Sequence, residues 1–143
     1  MSVPAQAIPV TGGRAGVRLF ALAVGAMDAS TGLLLVVAPL TVLRWMWIPT
    51  PPLEPIWLRF IGAFVAGVGT IYLYALARAG AGLLLPALEL TAIVRASVGL
   101  FVGAAILLGA LPAAWLTVAV TDLALAAFQL GMVRRGSRGA RER

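Results

Sequence analysis

Cysteine, histidine, lysine and asparagine are all missing from this sequence of 143 residues. Without cysteine there is no disulfide and no thiolate nucleophile. Without histidine there is no imidazole ligand for a metal or haem, and a Ser-His-acid triad is impossible. The lack of asparagine removes N-glycosylation acceptors. Charge is scarce as well. Only 11% of the residues are charged, eleven arginines against five acids, for a net +6. Arginine without any lysine is the usage of a GC-rich bacterial genome, which sets the expected source.

What remains is apolar. Hydrophobic residues make up 62% of the chain and the mean hydropathy is +1.02, well outside the makeup of a soluble domain. A bilayer-spanning helix needs about 20 mostly apolar residues, so the length accommodates four spans and short connections but no separate soluble domain. Four segments qualify, about residues 17 to 40, 56 to 77, 83 to 110 and 112 to 133. Lipid offers backbone groups no water, so an open chain crosses as helices. The expected fold is all-α, an integral membrane four-helix antiparallel bundle over residues 17 to 133. Residues 1 to 16 read as a short cytoplasmic arm with no cleaved signal peptide, and residues 134 to 143 as a basic cytoplasmic tail.

The connection over residues 41 to 55 carries Arg44, Trp45 and Trp47, with Trp57 just beyond, among several prolines. It reads as an interfacial loop with aromatic rings at headgroup depth and an extended "PTPPLEP" piece. The other connections, "ARAGAG" and "GALPAAW", are short and force antiparallel neighbours. Arg14, Arg18, Arg78 and the tail "RRGSRGARER" fall on one side of such a chain. The positive-inside rule then places both termini in the cytoplasm of a bacterial inner-membrane protein, and the tail reads as a topology signal able to touch anionic lipid.

Three ionisable residues sit near span centres: Asp28, Arg95 and Asp122. Each costs about 2.5–3.5 kcal/mol at a helix centre on insertion scales, so they are expected to face one another or a wet cavity. Helical spacing agrees. Asp28 shares a face with Gly25 and Gly32; Arg95 with Gly99 and Gly103, a GxxxG pair; Asp122 with Trp115, Ala119, Ala126 and Gln129; and Arg59 with Gly62, Ala66 and Gly69. The expectation is an inward small-residue stripe on every span and an Arg95 fork bridging both aspartates. Glu89 lies about 240° from Arg95 on the same helix and looks elsewhere or toward the cytoplasmic half. A structural ion-pair cluster and a proton or ion relay are both open readings of the triad, and so is an anchor for a lipid headgroup or quinone. Tyr72, Tyr74, Trp115 and Phe128 are candidates for lining an apolar pocket or for interfacial anchors. The glycines of "GAFVAGVGTIYLY" lack the preceding strand and downstream acid of a dinucleotide site.

The four segments "LLLVVAPL", "WLRFIGAFVAGVGTIYLYAL", "LTAIVRASVGLFVGAAILLGAL" and "VAVTDLALAAFQLGMVRR" together resemble small bacterial four-helix membrane proteins of the DoxX-like kind. That resemblance implies a compact bundle, in some members tied to quinone oxidation or oxidative-stress complexes as a membrane subunit. No catalytic motif carries over residue by residue. The functional expectation is a non-catalytic accessory or scaffolding subunit that packs against other membrane proteins or itself. Membrane lipids are further partners, and nucleic acid is not expected. The alternatives are a proton, ion or small-molecule carrier built on the Asp/Arg cluster and a quinone-linked subunit. No metal or cofactor is expected, with room for a bound lipid or quinone.

Overall fold

The structure, a computed structural model, describes residues 12–49, 55–78 and 82–141. Among these the chain is all helix: α1 Gly12–Val37, α2 Pro39–Trp45, α3 Pro55–Ala77, α4 Leu84–Leu107, a 3-10 turn Ala113–Trp115, and α5 Leu116–Arg141. Four stretches, in α1, α3, α4 and the turn plus α5, are long and apolar enough to cross a membrane, with mean hydropathies of 1.7 to 2.0. Their outward surfaces carry Leu19, Leu33, Phe60, Leu90, Leu100 and Leu107, all exposed. So much apolar area would be untenable in water; it is the surface that lipid tails require.

The helix ends follow from local chemistry. Ala38 closes α1 with its N–H on the Leu34 carbonyl at 2.7 Å. Pro39, which has no N–H, then breaks the ladder and starts α2 in its first turn. At the end of α2, Trp47 adopts a left-handed conformation (φ 57), with Ile48 N–H on the Leu43 carbonyl and Trp47 N–H on Arg44. This is a Schellman closure, and its apolar partners Leu43 and Ile48 pack together with Leu58. Helix α4 ends the same way at Gly109 (φ 71), where Ala110 bonds back to Ala105 at 2.9 Å.

Several bounds differ from the sequence expectation. Helix α1 starts at Gly12, although the stretch long and apolar enough to cross a membrane begins at Ala15, and α5 runs on through the basic tail to Arg141. The stretch expected to be an interfacial loop contains part of the short helix α2. The prolines and the tryptophan pair hid it, since they read as loop residues. The extended "PTPPLEP" piece falls mostly outside the described residues, as do residues 1–11 of the arm.

The bundle is built from two tight helix pairs, α1 with α3 and α4 with α5, with much looser packing between them. Glycine sets the closeness of the first pair. A Cβ on Gly32 would lie 2.6 Å from the Gly62 carbonyl oxygen, and one on Gly69 2.7 Å from the Gly25 carbonyl oxygen. Early α1 residues meet late α3 residues, so the pair is antiparallel. In the second pair a Cβ on Gly99 would meet Leu123 Cγ at 2.7 Å and the Ala119 carbonyl at 3.1 Å. The two pairs are joined by three layers. At the arginine-rich end an apolar plug packs Ala21, Val24, Tyr72, Ala75, Leu84 and Leu88, helped by the Phe20 and Phe128 rings at 5.0 Å. At the loop end Leu43, Ile48 and Leu58 pack with Met46 and Trp115. Polar side chains and a cavity lie between.

Candidate functional site

The polar layer is assembled from all four long helices. Arg95 of α4 donates from Nη1 to Asp122 Oδ1 of α5 at 2.6 Å and from Nη2 to Asp28 Oδ2 of α1. Its Nε points to the Tyr72 hydroxyl of α3 at 3.4 Å. Gln129, two turns along α5 from Asp122, donates through Nε2 to that same hydroxyl. Asp28, Arg95 and Gln129 are buried, with Gln129 fully so, whereas Asp122 keeps 17% of its side chain exposed. A planar guanidinium suits this position because its fork offers donors in two directions at once. Of the two helix pairs, the first supplies Asp28 and Tyr72 and the second supplies Arg95, Asp122 and Gln129. The cluster is therefore the polar bond between the two halves.

A cavity of about 280 Å³ opens beside it. Its walls include Met27, Leu35, Ile61, Phe64, Val68, Val94, Val98 and Val118, and Asp28, Arg95 and Asp122 form its polar floor. Leu43, Met46, Leu58 and Trp115 cover it toward the loop end. Exposed lining residues Ile61, Phe64 and Thr121 mark an opening between the pairs, while the plug closes the arginine-rich end. The volume lies just under the range of about 300–1,000 Å³ typical of small-molecule sites, and the mix of apolar walls with a few convergent polar groups is theirs as well.

The floor is formally anionic, two carboxylates against one guanidinium. Asp28 Oδ2 and Asp122 Oδ1 are held by Arg95; Asp28 Oδ1 and Asp122 Oδ2 have no donor among the described residues. Neither free oxygen is sealed, because the one buried side-chain polar atom without a partner among the described residues is Gln129 Oε1. Hydroxyls on the spans divide the same way. Ser30, Thr70, Thr91, Ser97 and Thr117 each bond back to a carbonyl of their own helix, which is the usual fate of such residues. Thr31 and Thr121 make no such bond, and both line the cavity.

Other sequence candidates lie elsewhere. Arg59 is exposed beside Trp57 and Phe60 in a shallow outer groove, a correction to the inward stripe expected of it. It stands at the start of its span, where a long side chain reaches the headgroup layer, and Gly62 and Gly69 turn inward without it. Gly103 also departs from the expected GxxxG pair, since a Cβ there would have nothing within 4 Å; only Gly99 meets α5. Glu89 is exposed on the outer face of α4, away from the triad. Trp45, Trp47 and Trp57 are strongly exposed, and so is Arg44. Of the aromatic candidates, Trp115 lines the cavity. Phe128 meets Phe20 in a tilted ring contact, and Tyr74 lies under the Arg78 guanidinium at 5.6 Å. Tyr72 belongs to the ion cluster instead, a role the sequence reading missed. It is three residues from Gly69, on the face that meets α1, and that spacing was the available signal. Among the described residues no group of three His, Cys, Asp or Glu is placed to hold a metal. Comparison with family models, curated proteins and solved structures finds no match.

Proposed function

We propose that this chain is a non-catalytic multi-pass protein of the bacterial inner membrane that binds a lipophilic small molecule between its two helix pairs, as a binding or carrier module. The observation that supports this is the open cavity whose floor is the Asp28–Arg95–Asp122 cluster. A cluster serving stability alone has no need of an adjoining cavity or of unsatisfied acceptors facing it. Both termini are taken to be cytoplasmic, since Arg18, Arg78, Arg134 and Arg135 gather at one end of the bundle. Kinship with DoxX-like proteins belongs to the same proposal, supported by the four-span all-α architecture, and a lipid or quinone falls within the lipophilic class proposed.

The test is photolabelling of the full chain in lipid nanodiscs with an aliphatic diazirine. Adducts at Val94, Val98 and Trp115 should exceed those on outward Leu100 and Leu107 and should disappear in Val118→Phe, which fills the cavity. Equal labelling of both groups, unchanged by the substitution, would remove the binding reading.

An accessory role beside another membrane protein is a second reading, favoured by Glu89. Its side chain is exposed on the outer face of α4, near exposed Leu90 and Ile93, and has no hydrogen bond or ion pair among the described residues. A carboxylate set in a lipid-facing surface is costly, and a neighbouring chain with a donor would relieve it. Copurification in mild detergent, lost on Glu89→Leu, supports this role, and a monomer unaffected by that change opposes it.

A further inference from the structure

The carboxylate and hydroxyl oxygens that line the cavity can all accept a hydrogen bond from a ligand. Among the described residues Asp28 Oδ1 and Asp122 Oδ2 lack donors, the Thr31 and Thr121 hydroxyls are not bonded to their own helices, and the floor has a formal charge of minus one. Arg95 has already committed a donor from each of its three nitrogens to Asp28, Asp122 and Tyr72. A ligand with an anionic group would meet a second negative charge in a poorly screened site. A neutral one would leave the surplus charge to be met by a proton on one of the aspartates. A small metal ion would satisfy the charge but leave the apolar walls of a 280 Å³ cavity without contacts.

We propose that the cavity recognises a lipophilic ammonium, an amine with a compact aliphatic or aromatic body. The N–H donors of the cationic head are shared among the free oxygens of Asp28 and Asp122 and the hydroxyls of Thr31 and Thr121. The apolar body lies against Val98, Val118 and Trp115. The Arg95 bridge is kept and needs no partner exchange, because the ligand takes the carboxylate oxygens that Arg95 leaves. The opening between the helix pairs lets an amphiphile already dissolved in the bilayer enter sideways. This inference rests on the reading of the cavity as a binding site.

The experiment uses the full chain in nanodiscs and asks how well octylamine, 1-octanol and octanoate suppress diazirine labelling at Val98. Concentrations are expressed per lipid after measured partitioning. Octylamine is protonated at neutral pH, as a lysine side chain is. Expected is half-suppression by the amine at a level at least roughly tenfold below that of the alcohol, the discrimination a charged hydrogen bond supplies, with octanoate weakest. Asp122→Asn should bring amine and alcohol to parity. Thr121→Val leaves every observed side-chain hydrogen bond in place, so it should weaken the amine several-fold at an unchanged unfolding temperature, even if Asp122→Asn fails to fold. An amine no better than the alcohol overturns the ammonium assignment while the cavity reading stands. Protection by sodium, with choline as the control cation, overturns it in favour of a metal ion. Absence of cavity labelling from the outset removes the underlying reading itself.

Discussion

Tyr72 of α3 and Gln129 of α5 meet across the seam between the two helix pairs, the glutamine amide donating to the tyrosine hydroxyl with both side chains fully buried. Arg95 Nε donates to the same oxygen, so a single hydroxyl ties the plug to the charged cluster. Removing it with Tyr72→Phe leaves the Gln129 amide and an Arg95 donor without a partner, at a cost of about 1–3 kcal/mol. Gln129→Leu also removes the orphaned Oε1 and should cost less. Thermal unfolding in a single detergent compares them, and a costlier Gln129→Leu would contradict this account of the seam.

Arg95→Met removes the positive charge between the buried Asp28 and the partly buried Asp122. Breaking a buried pair by deleting one partner costs about 3–5 kcal/mol, and here two carboxylates are abandoned together. Arg95→Lys keeps the charge but loses the two-way fork, so its loss should be intermediate. Equal stability of Met and wild-type proteins in bicelles would show that the triad contributes nothing to the fold.

The two aspartates are not equivalent. Asp28 has 7% of its side chain exposed and Asp122 has 17%. Either single Asn change leaves a one-to-one pair with Arg95, and Asp28→Asn should be the more damaging. The double change strands the arginine and should cost more than the sum of the singles. A double-mutant cycle on denaturation free energies reads that coupling, and strict additivity would sink the prediction.

Glycine positions separate cleanly. Gly32→Ala pushes a methyl group toward the Gly62 carbonyl, where rigid backbone cannot yield, so overpacking of about 1–3 kcal/mol is expected. Gly103→Ala meets open space and replaces a poor helix former, so it should be neutral or gain up to about 1 kcal/mol. The order of melting temperatures, Gly103→Ala above Gly32→Ala, is the check.

Orientation is directly measurable because the chain has no native cysteine. Trp47→Cys should react with an impermeant maleimide on intact cells, and Arg138→Cys only after lysis. The reverse pattern would invert the proposed topology.

Depth was legible in the sequence, since counting residues into each span puts Asp28, Arg95 and Asp122 at one level and the cost of burying charge makes them partners. The glycine stripes of α1 and α3 were legible for the same reason, a shared helical face. Tyr72 was harder, because a tyrosine near a span end reads as an interfacial anchor unless its position beside Gly69 is weighed. Arg59 and Gly103 show the limit of periodicity, which says which residues share a face but not whether a neighbouring helix reaches that far along it. A wet cavity beside the triad and Trp115 as a lining candidate were legible, but the cavity's position and its other walls were not. These arise from how loosely two tight pairs meet, a property of no single segment.

The division into two pairs also sets an order in time. When the first hairpin enters the bilayer during synthesis, its glycine seam can close at once, because everything that seam needs lies between Gly25 and Gly69. Asp28 cannot be matched then, since Arg95 comes 67 residues later. Until α4 arrives the nascent protein holds a solitary acid in oil. That mismatch makes the half-made chain sticky for any donor nearby, and it ends when the second hairpin docks.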